Sequence, residues 1–148
     1  MKLPPDVAAR CLDLAAPTRT TSPPTPGRDS VLMTVWLPGL VPVSRANQRG
    51  HWAVTMRRER EYSAILWASL RRIQGLQWRL PLSVTFHRVG AKLLDDDNLA
   101  GAYKRLRDCV ADWLRIDDGD RTAAAWAYTQ QTERMKALHG TRLTISEV

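Results

Sequence analysis

Residues 80–114 read LPLSVTFHRVGAKLLDDDNLAGAYKRLRDCVADWL, and their reading decides the fold. The first ten alternate, with Leu82, Val84 and Phe86 set against Ser83, Thr85 and His87. That is the period of a half-buried strand. From Leu99 the period changes. Leu99, Ala102, Tyr103, Leu106, Val110, Trp113 and Leu114 recur at spacings of three and four, the stripe of an amphipathic helix. A strand therefore passes to a helix through the acidic junction AKLLDDDN.

Upstream, VLMTVWLPG from Val31 is apolar, rich in β-formers and stopped by Pro38-Gly39, so it reads as a buried strand. VPVSRANQRGH follows as a polar, basic loop. From Trp52 to Ile73, Tyr62, Ile65, Leu66, Ser69, Leu70 and Ile73 keep helical spacing, and Gly75 ends the helix. Downstream, RIDDGD makes a turn and AAAWAYT (123–129) a strand. TRLTISEV closes the chain as another strand, with Leu143 and Ile145 on one side and Arg142 and Thr144 on the other. The order β-α-β-α-β-β predicts an α+β fold of two layers, a mixed sheet with helices on one face.

The chain has 148 residues, a length suited to one domain. Residues 1–30 hold six of the nine prolines and lack apolar periodicity. They are expected to be a Pro-rich flexible leader with a short helix near Asp6–Leu14, and residues 31–148 the folded domain. No apolar run is long enough for a membrane helix, and the first residues hold Pro, Asp and Arg where a signal peptide needs its apolar run. Cys11 and Cys109 cannot form a disulfide framework or a Cys-based zinc site, and isolated thiols fit a reducing cytoplasm. His51, His87 and His139 show no ligand spacing. Trp36, Trp67 and Trp113 are expected in the core, with Cys109 as packing beside them, while Trp52 lies where it could stack on a base.

Charge is uneven. The net charge is +7, and residues 45–92 hold ten basic and two acidic residues. A basic balance favours a polyanionic partner such as nucleic acid. Asp95, Asp96, Asp97, Asp117, Asp118 and Asp120 then form two acidic groups, one at a strand-to-helix junction and one beyond the far end of that helix. Two readings are open. Asp97 or Asn98 can cap the Leu99 helix, and Asp117-Asp118-Gly119 is ordinary turn chemistry. Alternatively, Asp95 and Asp97 on one side of a strand-like approach repel each other unless a cation intervenes. Mg²⁺ suits such hard oxygen donors and commonly shares them with a substrate phosphate. The two acidic groups meet only if the chain after Leu114 folds back along the helix. Lys104 on the polar side of that helix either reaches back toward such a phosphate or pairs with Asp108 at i,i+4.

These residues resemble a known family. LDDDNLAGAYKRLRDCVADWLRIDD is similar to the core of RusA-type Holliday junction resolvases, whose pattern is Asp-x-Asp-Asn, a helix with a Lys and an Asp four later, then an Asp-Asp pair. Here these are Asp95, Asp97 and Asn98, then Lys104 and Asp108, then Asp117-Asp118. VWLPGLVPVS and GTRLTISEV resemble the family's opening strand with its Pro-Ser loop and its closing strand. Some members carry the lysine three residues after the asparagine, where this chain has Gly101.

The resemblance implies a homodimeric, Mg²⁺-dependent endodeoxyribonuclease (Mn²⁺ as a substitute) that resolves four-way DNA junctions by paired nicks. It implies Asp95, Asp97 and Asp118 as metal ligands and Lys104 as the catalytic lysine. Arg45, Arg49, Arg57, Arg58 and Lys92 would then contact the DNA backbone, which positions without reading sequence. Two other functions use the same residues: a non-catalytic basic DNA-binding protein, and another metal-dependent nuclease acting on RNA or other DNA structures.

Overall fold

The computed structural model describes residues 30–44, 52–73 and 75–148. The leader, with its expected helix at Asp6–Leu14, lies outside the described residues apart from Ser30, as do Arg45 and Arg49. Four strands and two long helices follow one another: β1 (Ser30–Pro38), α1 (Trp52–Leu70), β2 (Leu82–Gly90), α2 (Asp96–Leu114), β3 (Ala124–Thr132) and β4 (Gly140–Glu147). A short 3₁₀ turn at Lys136–Leu138, which periodicity did not announce, precedes β4. The fold is α+β with a mixed sheet, as the periodicities predict.

The sheet order is β1-β4-β2-β3. β4 runs antiparallel to both β1 and β2, while β2 and β3 are parallel neighbours, from Leu82↔Ala124 to Gly90↔Thr132. Parallel neighbours need a crossover, and α2 is that crossover. It must run antiparallel to them, so its N-terminus lies by the Gly90/Thr132 end and its C-terminus by the Leu82/Ala124 end. This polarity fixes where each acidic group can be.

Alternation builds the core. Leu82, Val84 and Phe86 of β2 are fully buried, and Leu143 and Ile145 of β4 join them. Leu66 and Leu70 of α1 and Leu99, Tyr103, Leu106, Val110 and Leu114 of α2 complete the same cluster. Phe86 is its centre, with ring centroids 4.9 Å from Tyr103, 6.1 Å from Tyr128 and 6.5 Å from Trp126. Buried Tyr103 keeps its hydroxyl satisfied: it bonds Thr141 Oγ1 at 2.7 Å, and Thr141 donates to the Leu40 carbonyl at 2.7 Å. Burial pushes the Tyr103 phenol far above its usual range, so it stays a neutral donor.

Several expected boundaries and packings move. α2 starts at Asp96, three residues before Leu99, and α1 stops at Leu70. Ile65, read as part of the α1 stripe, is exposed. Trp67 and Trp113 pack against the core as expected, whereas Trp36 is half-buried with its ring against Gly140. An added Cβ at Gly140 would lie 2.6 Å from that ring, so only glycine fits there. Cys109 is buried packing, and Trp52 is 72% exposed. Among the described residues, no helix is long and apolar enough to cross a membrane.

Candidate functional site

The early start of α2 changes the geometry of the first acidic group. Asp95 is the N-cap residue, with extended backbone (φ −66, ψ 153), and Asp96 and Asp97 stand in the first helical turn. The strand-like approach that would put Asp95 and Asp97 on one side is therefore replaced by a helix start. At i and i+2 of a helix start their side chains share the turn without facing each other. Asp95 makes no side-chain capping hydrogen bond; its carbonyl receives the Leu99 N–H at 2.8 Å. All three aspartates are exposed. Negative side chains at this end are favoured by the helix dipole.

A polar network holds this turn. Asn98 accepts a hydrogen bond from Ser44 Oγ at 2.7 Å, and its amide donates to Asp95 Oδ2 at 3.5 Å. Ser44 is buried. Gln130 of β3 clamps the loop just before, accepting from Leu94 N at 2.9 Å and donating to Leu94 O at 2.6 Å. The loop after β1 and the loop after β2 thus meet at Asp95. Ser44 and Asn98 belong to the motifs that carried the resemblance. Gln130 had no sequence signal, since strand alternation names its face and not its partner.

Lys104 is exposed, seven residues beyond Asp97 and therefore about two turns along the same face. Its side chain leans toward the helix N-terminus, as helical Cβ directions require. Gly101 lies between the two on that face. It is exposed, and a Cβ there would meet nothing within 4 Å.

The second acidic group divides. Asp117 Oδ1 accepts from Gly119 N at 2.9 Å, and Asp120 Oδ1 accepts from Thr122 N at 2.8 Å and Thr122 Oγ1 at 2.7 Å. Those hydrogen bonds hold the Asp120 carboxyl below its ordinary range. Both are turn residues, as the local pattern allows. Asp118 is different: it pairs with Arg107 Nη2 at 2.6 Å. Arg115 ends α2 in the left-handed conformation (φ 58, ψ 43), and the chain then turns back so that Asp118 meets the Arg107 guanidinium. Arg107 also neighbours Tyr128. Burial raises the Tyr128 phenol pKa, and the nearby guanidinium opposes that rise.

The fold-back stops short of Asp97. Asp97 and Arg107 are ten residues apart, about 15 Å along the axis. Among the described residues no three His, Cys, Asp or Glu side chains stand together as a metal-binding group. Asp95 and Asp97 thus share the helix start, while Asp118 pairs elsewhere, with Arg107, within one subunit.

Of the expected DNA contacts, Arg57 and Arg58 on α1 and Lys92 before α2 are exposed. A crevice at Arg58 is lined also by Pro42, Val43, Thr55, Glu59, Tyr62 and Ala102, so an acidic side chain shares it. Arg88, counted in the basic segment, is instead buried. No known family model, curated protein or solved structure matches this chain.

Proposed function

We propose that this chain is a Mg²⁺-dependent endonuclease that cuts four-way DNA junctions as a homodimer, with Asp95, Asp97 and Asp118 as metal ligands and Lys104 at the scissile phosphate. The observation that carries the reading is the turn Asp95–Asp97. Its carboxylates are exposed together, Asp95 makes no capping bond with its side chain, and the Ser44–Asn98 pair orients Asp95. Such hard oxygen donors fit Mg²⁺, which needs only one or two carboxylates with water and phosphate. Bound there, Mg²⁺ would neutralise the phosphate and acidify an attacking water.

The chain's own residues supply the rest. Lys104, leaning toward the turn, stabilises charge on the phosphate oxygens as the bond breaks. Arg57, Arg58 and Lys92, with Arg45 and Arg49, hold the backbone of the arms. Asp118 sits toward the opposite end of α2 from Asp95 and Asp97. A two-fold axis that sets two α2 helices antiparallel would bring Asp118 of one copy to Asp95 and Asp97 of the other. Isologous pairing of this kind repeats itself, giving two centres for two symmetric strands.

The Arg107–Asp118 pair favours a second reading, a basic DNA-binding protein whose acids serve turns and ion pairs. One assay separates the two: a four-way junction, a linear duplex and an RNA hairpin incubated with protein in Mg²⁺. The nuclease reading expects junction nicking, its loss in Asp97→Asn with junction binding retained, and slower cutting in Lys104→Ala. Binding without cutting, with or without metal, selects the second reading. Cleavage of RNA or of plain duplex in preference moves the substrate.

A further inference from the structure

Arg88 is 4% exposed, at the end of β2 beneath the start of α2. Its Nε donates to the Pro42 carbonyl at 2.9 Å and its Nη1 to the Lys92 carbonyl at 2.7 Å. Among the described residues no carboxylate forms an ion pair with it. Gly90 makes the room: an added Cβ there would lie 3.0 Å from Nη1. A buried arginine is costly to desolvate and stays charged, so its presence calls for a role that an apolar side chain could not fill.

The two carbonyls belong to the two loops that build the acidic turn. Pro42 lies two residues before Ser44, whose hydroxyl holds Asn98, and Lys92 lies three before Asp95. Asn98 in turn reaches Asp95 Oδ2. One planar fork therefore sets the distance between the loops. Lysine, a single ammonium, cannot reproduce both directions of that fork.

We propose that Arg88 is a positioning residue for the Asp95–Asp97 centre, tying the loop after β1 to the loop after β2 so that Ser44 and Asn98 fix the Asp95 carboxylate. The proposal rests on the nuclease reading of that turn. Arg88 touches no substrate; it acts through the two loops.

The test uses the full chain with Arg88→Lys and Arg88→Met. Circular dichroism and melting report the fold, electron paramagnetic resonance titration with Mn²⁺ reports metal affinity, and junction cleavage is split into kcat and KM. Positioning partners of metal ligands typically change affinity or activity by about 10–100-fold. Arg88→Lys should therefore stay folded, keep KM for the junction, and lose kcat and Mn²⁺ affinity by about that much. The side-chain amide resonance of Asn98 should move in the same variant. Wild-type kcat, Mn²⁺ affinity and Asn98 resonance in a folded Arg88→Lys would overturn the proposal, as would losses in both variants that vanish once melting is accounted for. If wild type neither binds Mn²⁺ nor cuts, the nuclease reading fails first. The Asn98 resonance then decides the loop-tying role alone, and an unmoved signal refutes it.

Discussion

His87 shows how a single residue's surroundings set a measurable property. Its ring bonds Thr129 Oγ1 at 2.7 Å and Gln131 Oε1 at 3.3 Å, and it faces Arg142 across the β2–β4 pair. Burial lowers its pKa from 6.5; the Gln131 hydrogen bond opposes this, and the weaker Arg142 charge adds to the lowering. The folded state therefore takes up this proton at lower pH than the unfolded chain. Above 6.5 the two states bind it equally little; below that, the unfolded chain binds more, and stability falls until the folded pKa is passed. Urea midpoints should drop more for wild type than for His87→Gln between about pH 7.5 and about pH 5.5. Equal drops would show that His87 does not contribute. Asp95 and Asp118 make the same point for function, because neither residue's chemistry is given by its neighbours in sequence. Asp117 and Asp120 do follow local turn patterns.

At the scale of elements, α2 carries most of the argument. Its interior holds Gly101, which costs about 1 kcal/mol relative to alanine in a helix. Among the described residues nothing requires that glycine, since a Cβ would meet nothing within 4 Å. On the nuclease reading proposed above, its place between Asp97 and Lys104 is where a phosphodiester backbone would pass. Gly101→Ala is expected to raise stability by about 0.5–1 kcal/mol and to slow junction cleavage. A stabilised variant that cuts at the wild-type rate would remove Gly101 from the substrate path. The helix stripe and strand alternation were legible in the sequence because both follow a fixed period. The start of α2 was not, because Asp95, Asp96, Asp97 and Asn98 are all good N-terminal residues and the pattern cannot choose among them. The fold-back of Asp118 onto Arg107 was equally hidden, being a contact across a turn whose path the sequence leaves open. Arg88 was counted only as one of the basic residues of 45–92, although the alternation of Leu82, Val84 and Phe86 continues to it and puts it on the core side of the sheet.

At the scale of the whole molecule, the crossover polarity separates the acids. Because β2 and β3 are parallel, α2 must carry its two acidic groups toward opposite ends of the sheet. On the nuclease reading, one copy then carries two of the three carboxylates at one end and the third toward the other, and two antiparallel copies would complete two centres. Mixed dimers of Asp97→Asn and Asp118→Asn test this most directly. Each variant alone should fail to nick a four-way junction in Mg²⁺, while a purified heterodimer should regain nicking from its one intact pair of halves. A heterodimer as silent as its parents, or a parent that cuts like wild type, would contradict a centre shared between copies.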